Sequence, residues 1–278
     1  MITIYITIIG LQISFLYSLL GPFLALLKNA FMIDAIGHSI VFGIAAGFLI
    51  SHSLHSPILF ICAILSAFLM NAINQLIQKN KSISQDASLG IAFSTLFSIG
   101  ILLISLYAKN IHLDLDMILL GNIEYSLYDT FLLFHNWFIP KIIIFLTLAI
   151  IFFILFLYFF YDEIHIVLFD KEFAKIKGIK TELINYIFIT AMTILIVTTF
   201  HAMGSLLLLG IAVAPFGFAW QNNNSYLDFL KEGIFYSIVF SILGIFISLW
   251  ADTSIAATIT FCITSGALVR YYFYNKSL

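Results

Sequence analysis

Charge is what this sequence has least of. Among 278 residues there are 12 Lys or Arg and 14 Asp or Glu, so charged side chains make up only 9 %. A soluble domain carries roughly a quarter, and a water-facing surface cannot be built from so few. This excludes a soluble globular enzyme, a disordered chain and a protein that offers nucleic acid a basic face. The formal net charge of −2 implies neither an acidic nor a basic partner. Cysteine is almost as scarce: Cys62 and Cys262 sit in apolar runs with no metal spacing and are read as buried thiols rather than a disulfide. Nucleotide and hydrolase signatures are missing as well. There is no G-x-x-x-x-G-K-[ST] phosphate loop, no H-E-x-x-H and no G-x-S-x-G. Any energy source must therefore lie in a partner chain or an ion gradient.

What the sequence does have is hydrophobic residues, at 62 %, with a mean hydropathy of +1.11. The runs free of Asp, Glu, Lys and Arg are 1–27, 35–78, 87–108, 142–161, 183–227, 233–251 and 253–269. A helix needs about 20 residues to cross the hydrocarbon, so five of these runs each fit one crossing. The first lacks a basic leader and a small-residue cleavage site, and is expected to be a retained span. Run 35–78 is twice too long and divides at Ser51-His52-Ser53-Leu54-His55-Ser56-Pro57, a polar, proline-ended turn. Run 183–227 is also too long and can divide at His201-Ala202-Met203-Gly204-Ser205.

The positive-inside rule weighs that second break. With nine crossings and the N-terminus outside, Lys28, Lys79, Lys81, Lys171, Lys175, Lys177, Lys180, Lys231, Arg270 and Lys276 all fall inside, and only Lys109 and Lys141 fall outside. With eight crossings, Lys231, Arg270 and Lys276 move to the wrong side. The expectation is an all-α polytopic membrane protein of about eight to nine transmembrane helices, forming a single transmembrane domain over 1–278. The polar stretch 162–182 is expected to lie as an amphipathic segment on the inner face, where its lysines would meet membrane lipid.

Ionisable side chains near membrane spans are costly and become functional candidates by default. Asp34 and His38 are spaced i, i+4, which puts them on one helix face. A carboxylate and an imidazole together could hold a divalent cation; the alternative is an Asp that caps the helix entering at Ala35 and a His bonded to a carbonyl. His52 and His55 in the outer turn, and His112, Asp114 and Asp116 in another outer loop, could attract cations or simply be solvated. His201 beside Gly204 and Asp252 between two close spans are turn or cap residues as readily as ligands. The 30 Phe, 13 Tyr and 3 Trp read as lipid-facing packing and interfacial belts. Gly90, Gly100, Gly204, Gly210 and Gly266 suit close helix packing. On the inner side, Pro215 closes an apolar run and Gln221-Asn222-Asn223-Asn224 follows. A short exposed segment tied to a span is what the docking of a partner chain requires, which singles out Pro215, Phe216, Gly217 and Ala219.

Several segments together carry a resemblance. Gly21-Pro22-Phe23 through Leu27-Lys28, then Asp34-Ala35-Ile36-Gly37-His38-Ser39 through Ala45, resemble the G-x-F-x-x-L-R-R…G-D-A-[LI]-S-H-S segment of bacterial ABC-type zinc/manganese/iron permeases. Asp86 with Leu89-Gly90-Ile91, Leu113-Asp114-Leu115-Asp116 with Leu120-Gly121-Asn122-Ile123, Phe169-Asp170-Lys171-Glu172-Phe173-Ala174, and Gly204-Ser205-Leu206 to Pro215 are similar to further motifs of that family, in family order. Departures are Gly37 for Ser, Phe42 for Pro, Phe216 and Gly217 for two alanines, and Ser254 and Ala256 for the Pro and Gly of a D-x-P-x-G-A loop. The resemblance implies a type II ABC importer-like permease in the bacterial inner membrane. It would pair with a second copy of itself, dock two cytoplasmic ATPase subunits and receive a divalent metal from an extracytoplasmic binding protein. It would bind no nucleic acid, hold no cofactor and catalyse no reaction itself. It also implies that Asp34 and His38 lie on the metal path. The run from His112 to Asp116 looks more like manganese/iron members, with zinc the alternative. A vitamin or siderophore permease, usually longer, and an intramembrane metalloenzyme, which would need a third ligand, are the rival readings.

Overall fold

The computed structural model describes residues 2–26, 30–53, 56–79, 82–107, 121–133, 137–219 and 226–275. Ten helices follow one another among these residues: α1 (Ile2–Leu26), α2 (Met32–Ser51), α3 (Pro57–Gln78), α4 (Gln85–Tyr107), α5 (Ile123–Ser126), α6 (Lys141–Phe169), α7 (Lys171–Ile176), α8 (Thr181–Ala219), α9 (Tyr226–Ala251) and α10 (Ile255–Asn275). Between α5 and α6 the chain makes a short hairpin, β1 (Thr130–Leu133) and β2 (Trp137–Pro140), paired antiparallel with Thr130 opposite Pro140. The hairpin is an addition to the all-α expectation.

Eight helical stretches are long and apolar enough to cross a membrane: α1, α2, α3, α4, α6, Thr181–Phe200 of α8, most of α9 and most of α10. The chain is a multi-pass membrane protein. The expected break falls between the end of α2 at Ser51 and the start of α3 at Pro57. His52 closes α2 in the left-handed conformation, its N–H donating to the Phe48 carbonyl, and Ser56 caps α3, its Oγ accepting from the Ile58 N–H with Pro57 following. Proline suits that first helical position because its missing N–H has no intrahelical partner there anyway.

The long uncharged run 183–227 resolves into two arms. α8 is broken at Gly204, whose φ of 64° and ψ of 166° belong to a region open essentially only to glycine. Contacts with α1 show that the chain reverses there. The first arm packs Phe188 against Phe23 (ring centroids 6.1 Å apart) and then Thr199 against Tyr17, with 2.6 Å between hydroxyl oxygens, so it runs antiparallel to α1. Beyond the elbow Ala212 lies back beside Gly21, and Gly210 and Gly217 meet Thr260 and Ala267 of α10 in ascending order. The second arm, Leu207–Gly217, is about 16 Å long at 1.5 Å per residue. That is half the hydrocarbon thickness, but its direction counts as a turn of the path. α9 then runs antiparallel to α1, with Ser237 and Ser241 bonded at Ser14 and Ile245 beside Gly10. The start of α1 and the end of α10 consequently lie at opposite faces of the bundle. Backbone broken at membrane depth survives only when buried in protein or lining a water-filled cavity, and Ala202, Met203 and Gly204 are all buried. The Gly121 loop seals the elbow: a Cβ on Gly121, itself at φ +65°, would come within 2.3 Å of the Gly204 nitrogen.

Two further details depart from the sequence reading. α6 does not stop at Asp162 but continues to Phe169, making it about 43 Å long against a hydrocarbon of about 30 Å. The amphipathic segment is therefore shorter than expected. It is α7, capped by Asp170, whose Oδ1 accepts from the N–H groups of Glu172 (3.0 Å) and Phe173 (2.9 Å). Gly178, at φ +80°, closes it, with Gly178 N–H donating to Lys175 O and Ile179 N–H to Ala174 O. Likewise Pro215 does not end its helix, which runs on to Ala219.

Candidate functional site

Helix α2 is the most buried of the long helices, and α4, packed beside it, the least. Their approach is set at one point. A Cβ on Gly100 would lie 2.8 Å from the Phe42 nitrogen, so only glycine allows the two backbones to come together there. About one to two turns from that point, towards the start of each helix, stand Asp34 and His38 on α2 and Phe93 and Phe97 on α4. Each pair is spaced i, i+4 and so shares a face.

Asp34 Oδ1 lies 3.3 Å from His38 Nε2, and both side chains are mostly covered, 18 % and 16 % exposed. The helix-cap alternative for Asp34 does not hold: α2 begins at Met32 and its cap position, Phe31, has no side-chain bond. Asp34 instead occupies the first turn, where a carboxylate is favoured by the helix dipole. Apart from the His38 contact, its Oδ1 has no hydrogen-bond partner among the described residues, and His38 Nδ1 has none there either, although both atoms are buried. The His38 ring lies nearly parallel to Phe93 at 5.4 Å between centroids and nearly perpendicular to Phe97 at 5.0 Å. Two ligands of one tetrahedral or octahedral metal at about 2.0–2.2 Å stand about 3.0–3.5 Å apart. The spacing of Oδ1 and Nε2 falls in that range. No group of three or more His, Cys, Asp or Glu able to hold a metal occurs among the described residues. Asp34 and His38 are thus a lone carboxylate–imidazole pair with a small opening to the outside of the chain.

The structure distributes the other expected residues. His52 is at the α2–α3 turn, and His55 lies outside the described residues, as do His112, Asp114 and Asp116. His201 precedes the elbow, three residues before Gly204, and its side chain is outside the described part. Asp252 occupies the α9–α10 turn with φ 52° and lines, with Asn122, Glu124, Thr253 and Ser254, a polar cavity of about 280 Å³. Pro215 is buried, and Phe216 is half-buried with its ring against Phe229 at 5.5 Å. Gly217 is half-buried, and 220–225 lie outside the described residues. Sequence reasoning missed Phe93 and Phe97. The only available signal was their i, i+4 spacing in an apolar helix, which does not say which neighbour they face.

A model of the ABC 3 transport family matches residues 2–274. The chain belongs to that family. The permease is 31 % identical over 254 residues to the zinc transport system membrane protein TroD of Treponema pallidum, covering 91 % of this chain and 69 % of that one. It is 29 % identical over 247 residues to the manganese transport system membrane protein MntD of Bacillus subtilis, covering 89 % and 83 %. Among solved structures, PsaBC from Streptococcus pneumoniae in complex with Fab superposes with a TM-score of 0.78 at 22 % identity, over 98 % of the permease and 94 % of that chain. That likeness concerns the fold: a type II importer-like permease. The permease is the membrane-embedded transport component of an ABC system and not an enzyme.

Proposed function

We propose that the permease carries a divalent transition metal ion, zinc or manganese as in its named relatives and iron as a third candidate, inward across the bacterial inner membrane. The observation that carries this reading is the Asp34–His38 pair, an oxygen and a nitrogen at metal-ligand separation, with no further protein donor to the buried oxygen among the described residues. A buried carboxylate oxygen compensated by so little is expensive, and a passing cation offsets that cost. With only two ligands per chain the ion is held weakly enough to leave again, as conduction demands. Two copies, facing one another across the exposed side of α4, would bring two such pairs to a common path. The relatives named for zinc and manganese favour a metal over a vitamin or siderophore.

The lysine-rich face would be cytoplasmic. There two ATPase subunits supply the energy that a chain without a phosphate loop cannot, docking near Pro215, Phe216, Gly217 and Ala219. On the other side an extracytoplasmic binding protein hands over the ion. The test is uptake of zinc, manganese and iron, each separately, in a strain lacking the permease gene and complemented with Asp34→Asn or His38→Gln. Uptake falls at least tenfold for the transported ion while permease abundance and ATPase co-purification persist. Wild-type uptake in both variants would remove Asp34 and His38 from the path.

A further inference from the structure

A histidine that binds a metal through one ring nitrogen almost always has the other held by a carboxylate, a carbonyl or water, which fixes the ring and its tautomer. His38 is different. Its Nδ1 is buried and meets no protein hydrogen-bond partner among the described residues, while Nε2 is the nitrogen that faces Asp34. What holds the imidazole is carbon. Phe93 lies nearly parallel to it, 18° between planes at 5.4 Å, and Phe97 stands at 75° to it at 5.0 Å. Both phenyl rings project from one face of α4 and so cover the imidazole together.

We infer that Phe93 and Phe97 are positioning residues for transport: they form an aromatic clamp that holds the His38 imidazole towards Asp34 in place of the usual hydrogen bond. The inference rests on the reading that Asp34 and His38 lie on the ion path. Three physical consequences favour such a clamp at a site meant to pass an ion rather than keep it. Phenyl faces attract positive charge, so they favour the imidazole most when a cation polarises it. They exclude water from the ring without offering a competing acceptor. And dispersion between rings is non-directional compared with a hydrogen bond, so the imidazole can swing when α4 moves against α2. That movement has a built-in fulcrum, since the two helices touch backbone to backbone at Gly100 and Phe42, one turn beyond Phe97.

The experiment is a double-mutant cycle on initial uptake rates of the transported ion, using Phe93→Leu and Phe97→Leu in the wild-type and in the His38→Gln background. Leucine keeps an apolar side chain and removes the ring; Phe93→Tyr restores a ring. Expected are a loss of about tenfold for Phe93→Leu alone, recovery to near wild type for Phe93→Tyr, and no additional loss when Phe93→Leu is added to His38→Gln. Rates are normalised to permease in the membrane. Should Phe93→Leu fail to accumulate, the same cycle run on Phe97→Leu decides. The ratio of zinc to manganese uptake is read in parallel, because a displaced ligand alters selectivity and a mere loss of folded protein does not. Equal loss in both backgrounds, or no loss from either leucine variant, overturns the clamp while leaving Asp34 and His38 on the path. No loss from His38→Gln itself overturns both.

Discussion

The same substitution, glycine to alanine, should have opposite signs at two helical positions of this bundle. Gly21 sits in α1 with its α-carbon turned to the second arm of α8, and a Cβ there would lie 1.7 Å from the Ala212 carbonyl oxygen and 2.6 Å from its carbon. Ordinary contact is twice that first distance, and the obstacle is backbone, which cannot swing aside as a side chain can. The two helices must separate by well over 1 Å, one turn along α1 from the Tyr17–Thr199 hydrogen bond that ties α1 to the first arm. Overpacking against backbone belongs at the upper end of the usual range, about 2–3 kcal/mol, offset by about 1 kcal/mol for replacing glycine by alanine in a helix, which leaves a net cost of about 1–2 kcal/mol. Gly90 in α4 has nothing within 4 Å of its virtual Cβ, so only the helix gain operates, about 0.5–1 kcal/mol. At about 2 cal/mol/K of unfolding entropy per residue, each kcal/mol corresponds to roughly 2 °C in a chain of this length. Thermal unfolding of the purified permease in one detergent, with wild type, Gly21→Ala and Gly90→Ala side by side, should place Gly21→Ala below wild type by about 2–4 °C and Gly90→Ala level or slightly above. If Gly21→Ala melts at or above Gly90→Ala, the α1–α8 approach described here is wrong.

Two other outcomes follow from sidedness and docking. Single cysteines at positions 175 and 276, in a permease with Cys62 and Cys262 replaced, should both react with an impermeant thiol reagent only from the cytoplasmic side; labelling of 276 from outside alone would reject the reversal at Gly204 as a topological turn. Gly217→Trp or Ala219→Glu should abolish co-purification of the ATPase, whereas Gln at Lys171, Lys175 and Lys177 together should weaken it less than about threefold, since charge attraction at an exposed surface is worth little. Loss with the lysine variant and retention with Gly217→Trp would move the docking surface to α7.

Legibility followed the range of the interaction involved. The uncharged runs marked the crossing helices because solvation in lipid acts on every residue of a span. The turn before α3 was readable because Ser56 and Pro57 act on their own neighbours. The elbow at Gly204 was legible from the excess length of run 183–227 and from the side on which Lys231, Arg270 and Lys276 fall. A charge count also misjudged α6: Asp162 and Glu163 mark where the hydrocarbon ends, but the hydrogen-bond ladder has no reason to stop there and continues to Phe169. The β1–β2 hairpin gave no usable pattern, since Thr130 to Pro140 is nearly all apolar and does not alternate. At the site, the spacing of Asp34 and His38 was enough to place them on one face. It could not reveal that Asp34 leaves the cap unmade, or that α4 brings two phenyl rings against the imidazole. Those facts depend on which helix becomes the neighbour, and that is decided at Gly100 and Phe42, more than fifty residues apart in sequence.

The short arm after Gly204 has a consequence for what variation the chain can tolerate. Orientation in a membrane obeys parity: each reversal of the path inverts everything downstream. Straightening the elbow into one continuous helix, or deleting Leu207–Gly217, would change the sequence modestly and remove no long span, yet it would send α9 and α10 across the bilayer upside down. The Arg270–Glu232 ion pair, with its guanidinium 4.5 Å over the Tyr236 ring, would then travel to the far side with them. A stretch too short to cross on its own thus sets the direction in which the last two helices cross, and substitutions that merely stiffen Gly204 should appear as inverted insertion rather than as a gradual loss of stability.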